Sequence, residues 1–208
     1  MSKCAKKARI YKDIENCRGR KNLPGTRAYF YGISLYDVIT MPKYNDAPED
    51  LKAAATLVGD FVLAADVKWH KVGMVVDEGT IQTENQGTEG NKSFKNTFTG
   101  VIPGTEEEAT GYINEMNNDQ MIFLVPQRNG KFRLVGNKEF PAVLSLKQEL
   151  GKTATDANTT TVEAVATDYW SAPFYTGKIE TEDGVISGET GELVTEDAGG
   201  KAAQNGQG

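Results

Sequence analysis

Residues 92–102 read KSFKNTFTGVI, and the apolar side chains fall on alternate positions. Phe94, Phe98 and Ile102 share one parity, while Lys95, Thr97 and Thr99 share the other. A period of two marks a strand with one buried face, because successive side chains leave opposite sides of the pleat. Residues 79–86 carry one large aliphatic side chain, Ile81, and place Gln82, Glu84 and Gln86 together on the opposite parity. Joined through a loop over residues 87–91, the two stretches predict a long hairpin with one apolar and one unusually polar side.

The period then changes. Pro103-Gly104 stops the strand, since proline cannot donate to a ladder. Ala109, Tyr112, Ile113 and Met116 recur at helical spacing and predict a single short α-helix near residues 105–117. Thr105 stands where an N-cap is needed, and Glu108 completes a capping box. Glu106, Glu107 and Glu108 suit the positive end of the helix dipole and need no metal to explain them.

Most of the remaining chain reads as strand. Residues 28–40 are rich in β-branched and aromatic side chains, and Tyr29, Phe30 and Tyr31 fit a strand core better than a base-stacking platform. Residues 51–76 open with a helical turn and continue as one or two strands. In residues 120–137, Asn129-Gly130 sits between apolar runs, a strong hairpin signal. Residues 140–150 and 158–170 add strands; in the latter Val162, Ala164 and Ala166 alternate with Glu163, Val165 and Thr167.

The fold class is therefore mainly β with one short helix. The organisation is a basic arm over residues 1–26, a β domain over 27–177 and an acidic, Gly-rich tail over 178–208. Residues 1–31 hold nine basic side chains against Asp13 and Glu15, a balance of +7. Residues 177–208 hold seven acids against Lys178 and Lys201, a balance of −5. The formal charge of −6 disfavours a general nucleic-acid binder. No secretory signal or membrane-length apolar run is visible, so synthesis in a cytoplasm is expected.

Chemistry is sparse. Cys4 and Cys17 with the sole histidine, His70, cannot furnish four zinc ligands, so free thiols are expected. His70 reads as an exposed strand residue beside Trp69. No Gly-rich phosphate loop is present, and nothing brings two acids such as Glu84 and Glu89 into one cleft. The expectation is a structural or binding protein, not an enzyme, with no cofactor and no metal. Trp69, Tyr169, Trp170 and Tyr175 would have to meet on one surface for a carbohydrate-binding β module, an alternative reading.

The order of segments resembles the major tail tube proteins of long-tailed bacteriophages, and more narrowly virion proteins of phages and prophages of Bacteroidetes-type bacteria. Residues 90–104, 118–136 and 171–177 carry the likeness, within a stretch of residues 28–177. The resemblance implies a β-sandwich or barrel flanked by one helix, whose copies form rings, usually hexameric, that stack into a tube conducting DNA. It implies a virion tail location, and as partners other copies, further tail or neck proteins, and DNA passing without sequence-specific binding, with no membrane. The arm and tail depart from a minimal tube subunit and leave a neck, ring or connector protein as the alternative. On this reading Phe94, Phe98 and Ile102 form a subunit interface, and Gln82, Glu84, Gln86, Lys95, Thr97 and Thr99 face the lumen or solvent.

Overall fold

A computed structural model describes residues 10–15, 17–19 and 21–194. The chain forms β1 (Tyr29–Ser34), a 3-10 turn (Leu35–Asp37), β2 (Val38–Thr40), β3 (Lys43–Tyr44) and the one-turn helix α1 (Leu51–Ala54). Next come β4 (Leu57–Val58), β5 (Val62–Leu63), β6 (His70–Gly73), β7 (Thr80–Thr88), β8 (Asn91–Pro103) and helix α2 (Glu107–Met116). β9 (Met121–Pro126), β10 (Phe132–Val135), β11 (Val143–Glu149), β12 (Thr159–Asp168) and β13 (Phe174–Tyr175) follow. β14 (Lys178–Thr181) and β15 (Gly184–Ser187) complete a mainly β protein with two helices among the described residues.

Two larger sheets dominate. One has the order β13-β10-β9-β1-β6, the other β11-β12-β8-β7. They share a core. Phe30 and Phe123 come from the first sheet, Phe98, Ile102, Val162 and Ala164 from the second, and Met116 from α2. Phe30 and Phe98 meet edge to face at 5.0 Å between ring centroids. Gly100 permits this closeness, because a Cβ there would stand 2.7 Å from Met74 Sδ and 2.8 Å from Phe98 Cζ.

The other face of the five-stranded sheet is covered as well. Tyr31, Ile33, Ile122, Leu124 and Phe132 pack there against Phe61, Trp69, Tyr175, Ile179 and Ile186. Every residue of β9 is consequently buried, which explains its unbroken apolar run. Among the described residues the four-stranded sheet has no such second cover.

Three expectations require correction. Helix α2 is where the periodicity puts it, but its N-cap is Glu106, with no side-chain cap bond, in place of Thr105 and its capping box. The 3-10 turn splits residues 28–40 into two strands, with the Ser34 hydroxyl accepting from the Tyr36 amide. The boundary at residue 177 also moves. β14 and β15 form a hairpin whose Ile179 and Ile186 are core residues, so residues 178–187 belong to the β domain and not to a tail. Residues 195–208, and residues 1–9 (with Cys4), 16 and 20 of the basic arm, lie outside the described residues. Cys17 is an exposed free thiol.

Candidate functional site

The hairpin of β7 and β8 is closed more tightly than the sequence suggests. Thr88 pairs with Asn91 across a two-residue Glu89-Gly90 turn, replacing the five-residue loop. Gly87 serves the approach to this turn: its φ is +94° and a Cβ would stand 2.2 Å from the Asn91 carbonyl oxygen. The parities then fall into place by register. Gln82 is opposite Thr97, Glu84 opposite Lys95, Thr80 opposite Thr99 and Gln86 opposite Ser93.

The same face continues across the sheet. Lys95, Thr97 and Thr99 lie opposite Thr167, Val165 and Glu163 of β12. Val165, Glu163 and Thr161 lie in turn opposite Val143, Ser145 and Lys147 of β11. All six hairpin residues expected to face lumen or solvent therefore share one broad hydrophilic face. It is rich in threonine, and β-branched side chains suit a pleated surface. Its charges are Glu84, Glu149 and Glu163 against Lys95 and Lys147. Lys147 Nζ and Glu149 Oε1 form an exposed ion pair at 2.6 Å, which is worth little in stability. Gln86 Nε2 donates to Ser93 Oγ at 3.2 Å and Thr167 Oγ1 at 3.1 Å, stitching three strands.

β7 and β11 are the outermost strands of this sheet, and neither has an outer partner among the described residues. Each edge offers a row of backbone donors and acceptors.

Two of the three residues expected at a subunit interface are taken up by this chain's own core. Phe98 is fully buried and Ile102 nearly so, both within this chain's own core. Phe94, near the hairpin tip, is half-buried. At Phe98 and Ile102 the period-two face is buried by the opposing sheet and α2, so there it is not available to a second copy.

Beneath the hydrophilic face lies a polar cluster that sequence reasoning missed. Asn96 is 1% exposed. Its Nδ2 donates to the Trp170 carbonyl at 3.0 Å. Its Oδ1 accepts from the Ala172 amide at 3.0 Å and from the Thr83 hydroxyl at 2.9 Å. Nearby, the buried Asp168 carboxylate accepts the Tyr44 hydroxyl at 2.7 and 2.6 Å, Asn137 Nδ2 at 3.2 Å and the Trp170 amide at 3.1 Å. Burial, reinforced by the Asp168 carboxylate, raises the Tyr44 phenol well above its ordinary range. The only available signal was an asparagine and an aspartate sitting on otherwise apolar parities.

Trp69 and Tyr175 are core residues, Trp170 stacks on Tyr44 at 4.3 Å, and Tyr169 is exposed. The four aromatics of the carbohydrate-binding alternative are thus not gathered on one surface. His70 is the exposed first residue of β6 and borders a cleft with Ser34, Asp37 and Asp119. The Ser34 hydroxyl donates to Asp119 Oδ1 at 2.9 Å. Among the described residues no helix is long and apolar enough to cross a membrane. No family model, curated protein or solved structure matches the chain.

Proposed function

We propose that the protein is a structural subunit of a phage tail, assembling through the edges of its four-stranded sheet into rings that stack as a tube. The observation that carries this reading is the hydrophilic face from Thr80 to Glu149, bounded on both sides by unpaired edges. Successive strands across the sheet are antiparallel, so β7 and β11 run in opposite directions. Placing β7 of one copy beside β11 of the next keeps the antiparallel order unbroken around a ring. On this proposal the two sheets and their shared core are a β-sandwich, and α2 closes it.

Geometry permits a useful bore. Six copies of a four-stranded sheet, with strands about 4.8 Å apart and tilted about 40°, enclose a backbone circle about 48 Å across. That leaves room for a DNA duplex inside a layer of side chains. Three carboxylates against two ammonium groups per copy make the wall slightly acidic. Such a wall does not neutralise phosphates, so it adds no salt-sensitive grip on passing DNA. Abundant hydroxyls keep it wetted.

Electron microscopy of the purified protein at high concentration tests the reading. Rings or tubes are expected, with the β7 and β11 edges at the seams. Persistent monomers under every condition would remove it.

A further inference from the structure

The start of β1, where the N-terminal arm joins, and an open surface groove lie at opposite ends of the same pair of strands. Thr26 bridges to Gln127, just past the end of β9, and the Arg27 amide donates to the Pro126 carbonyl at 2.9 Å. β1 then runs antiparallel to β9, reaching Ser34 opposite Met121. Directly afterwards the Leu35 amide donates to the Gln120 carbonyl at 2.7 Å. Here Tyr36, Val38, Ile39 and Met41 line an open groove of about 700 Å³. Six residues of strand at about 3.3 Å each separate the two ends by roughly 20 Å.

The groove and the arm have matching chemistry. Ile39 is 66% exposed, an unusual state for a strand isoleucine, and the charged side chains of the lining are Lys43, Lys138 and Asp46. In the arm, Ile14 is 84% exposed and stands between Asp13 and Glu15, the only acids of residues 1–31. Residues 10–15 form no strand or helix. Asp13, Glu15, Lys43 and Lys138 make no ion pair among the described residues. An isoleucine between two carboxylates thus has its counterpart in a groove that carries an exposed isoleucine, two ammonium groups and one carboxylate.

We propose that residues 12–15 of one copy dock in the groove of a second copy, with Ile14 against Val38 and Ile39 and the flanking acids toward Lys43 and Lys138. Residues 15–25 span up to about 35 Å when extended, enough to cross to a neighbour placed at the arm's end of the molecule. The contact is heterologous: each copy presents its arm at one end and its groove at the other. Such a joint is not used up in a dimer and propagates along an axis. The proposal rests on the self-assembly reading above and adds an axial joint to the lateral one supplied by the sheet edges.

Full-length Ile14→Asp and Ile39→Asp variants test it, because each keeps one half of the joint. One variant is immobilised and the other flows over it, with like-on-like pairs as the reference for lateral contacts alone. The unlike pair, which retains one intact arm and one intact groove, is expected to bind at least tenfold more tightly than either like pair. Equal binding in all pairings overturns the proposal. Both positions are exposed, and thermal melts of both variants should match wild type. If Ile39→Asp unfolds, Lys138→Glu takes its place, paired with Glu15→Lys, and charge restoration in the unlike pair is the expected result. Electron microscopy separates the two readings. Wild type forming strings without rings removes edge pairing and keeps the strap. Both variants forming tubes stacked as in wild type removes the strap and keeps the rings.

Discussion

Asn96→Asp should cost stability by an amount that depends on pH. The amide donates through Nδ2 to the Trp170 carbonyl and accepts through Oδ1 from the Ala172 amide and the Thr83 hydroxyl. A carboxylate keeps both acceptor bonds but turns an oxygen toward the Trp170 carbonyl. It is also buried, and Asp168 is its diagonal neighbour on the inner face of β8 and β12. Burial and this neighbouring charge raise its folded pKa, and they outweigh the two accepted hydrogen bonds, which lower it. A protonated carboxyl, by contrast, donates to the Trp170 carbonyl as the amide does. A net rise of about two units corresponds to about 2.7 kcal/mol. Because the folded pKa is raised, the variant is near wild type below the unfolded pKa of about 4 and loses stability as pH rises to about 6. Urea unfolding of both proteins between pH 4 and 7 measures the gap. At about 2 kcal/mol per molar, the midpoints should separate by roughly 1–1.5 M more at pH 7 than at pH 4. Asn96→Ala is the control: it strands the Trp170 carbonyl and Ala172 amide, at about 1–3 kcal/mol each, with no pH dependence. A gap for Asn96→Asp that stays constant across this range would refute the reasoning.

Phe98→Ala should destabilise the dilute, unassembled protein by about 3–5 kcal/mol, seen as a drop in melting temperature of roughly 6–20 °C. Thr97→Ala, one position along and on the other face, should change stability by less than about 0.5 kcal/mol. Tyr44→Phe keeps the stacking on Trp170 but removes the hydroxyl that donates to buried Asp168, so a loss of about 1.5–3 kcal/mol in urea unfolding is expected. The double charge reversal Glu84→Lys with Glu163→Lys should make assembled particles retain duplex DNA in a filter assay at low salt and release it as salt rises, whereas wild-type particles retain none.

Much of this architecture was legible because hydrophobic period follows strand geometry. The β7–β8 faces, the Asn129-Gly130 turn with Gly130 at φ +91°, and the alternation of Val162, Ala164 and Ala166 follow the pattern directly. The errors have physical causes. Residues 178–187 read as tail on composition, yet Ile179 and Ile186 carry a strand signal diluted by Glu180, Glu182 and Asp183. Those acids face out, where Glu182 meets Lys68 at 3.1 Å and Asp183 meets Lys71 at 3.2 Å. The interface assignment of Phe98 and Ile102 fails for a different reason. A period of two reveals that Phe98 and Ile102 are buried, but not whether the burying surface belongs to the same chain. Asn96 was hidden because a polar residue on an apolar parity looks like an interruption until its backbone partners are seen.

The burial of the two sheets is unequal, and this asymmetry bears on what the molecule needs from a neighbour. The five-stranded sheet is covered on both faces, so neither face can meet another molecule. Among the described residues the four-stranded sheet is covered on one face only, and its other face is hydrophilic, so hydrophobic burial gives no reason for a partner to sit there. Its edges are different. β7 runs for nine residues and β11 for seven, without proline in either strand. Long unpaired edges template further strands and are a hazard unless blocked. Charged side chains at Glu84, Lys147 and Glu149 lie on the face and do not occlude the edge backbone. Antiparallel pairing of β7 with β11 of another copy satisfies those backbone groups and leaves the polar face intact. The proposed ring uses both features, the wetted face toward water and the two oppositely directed edges toward copies of the same chain.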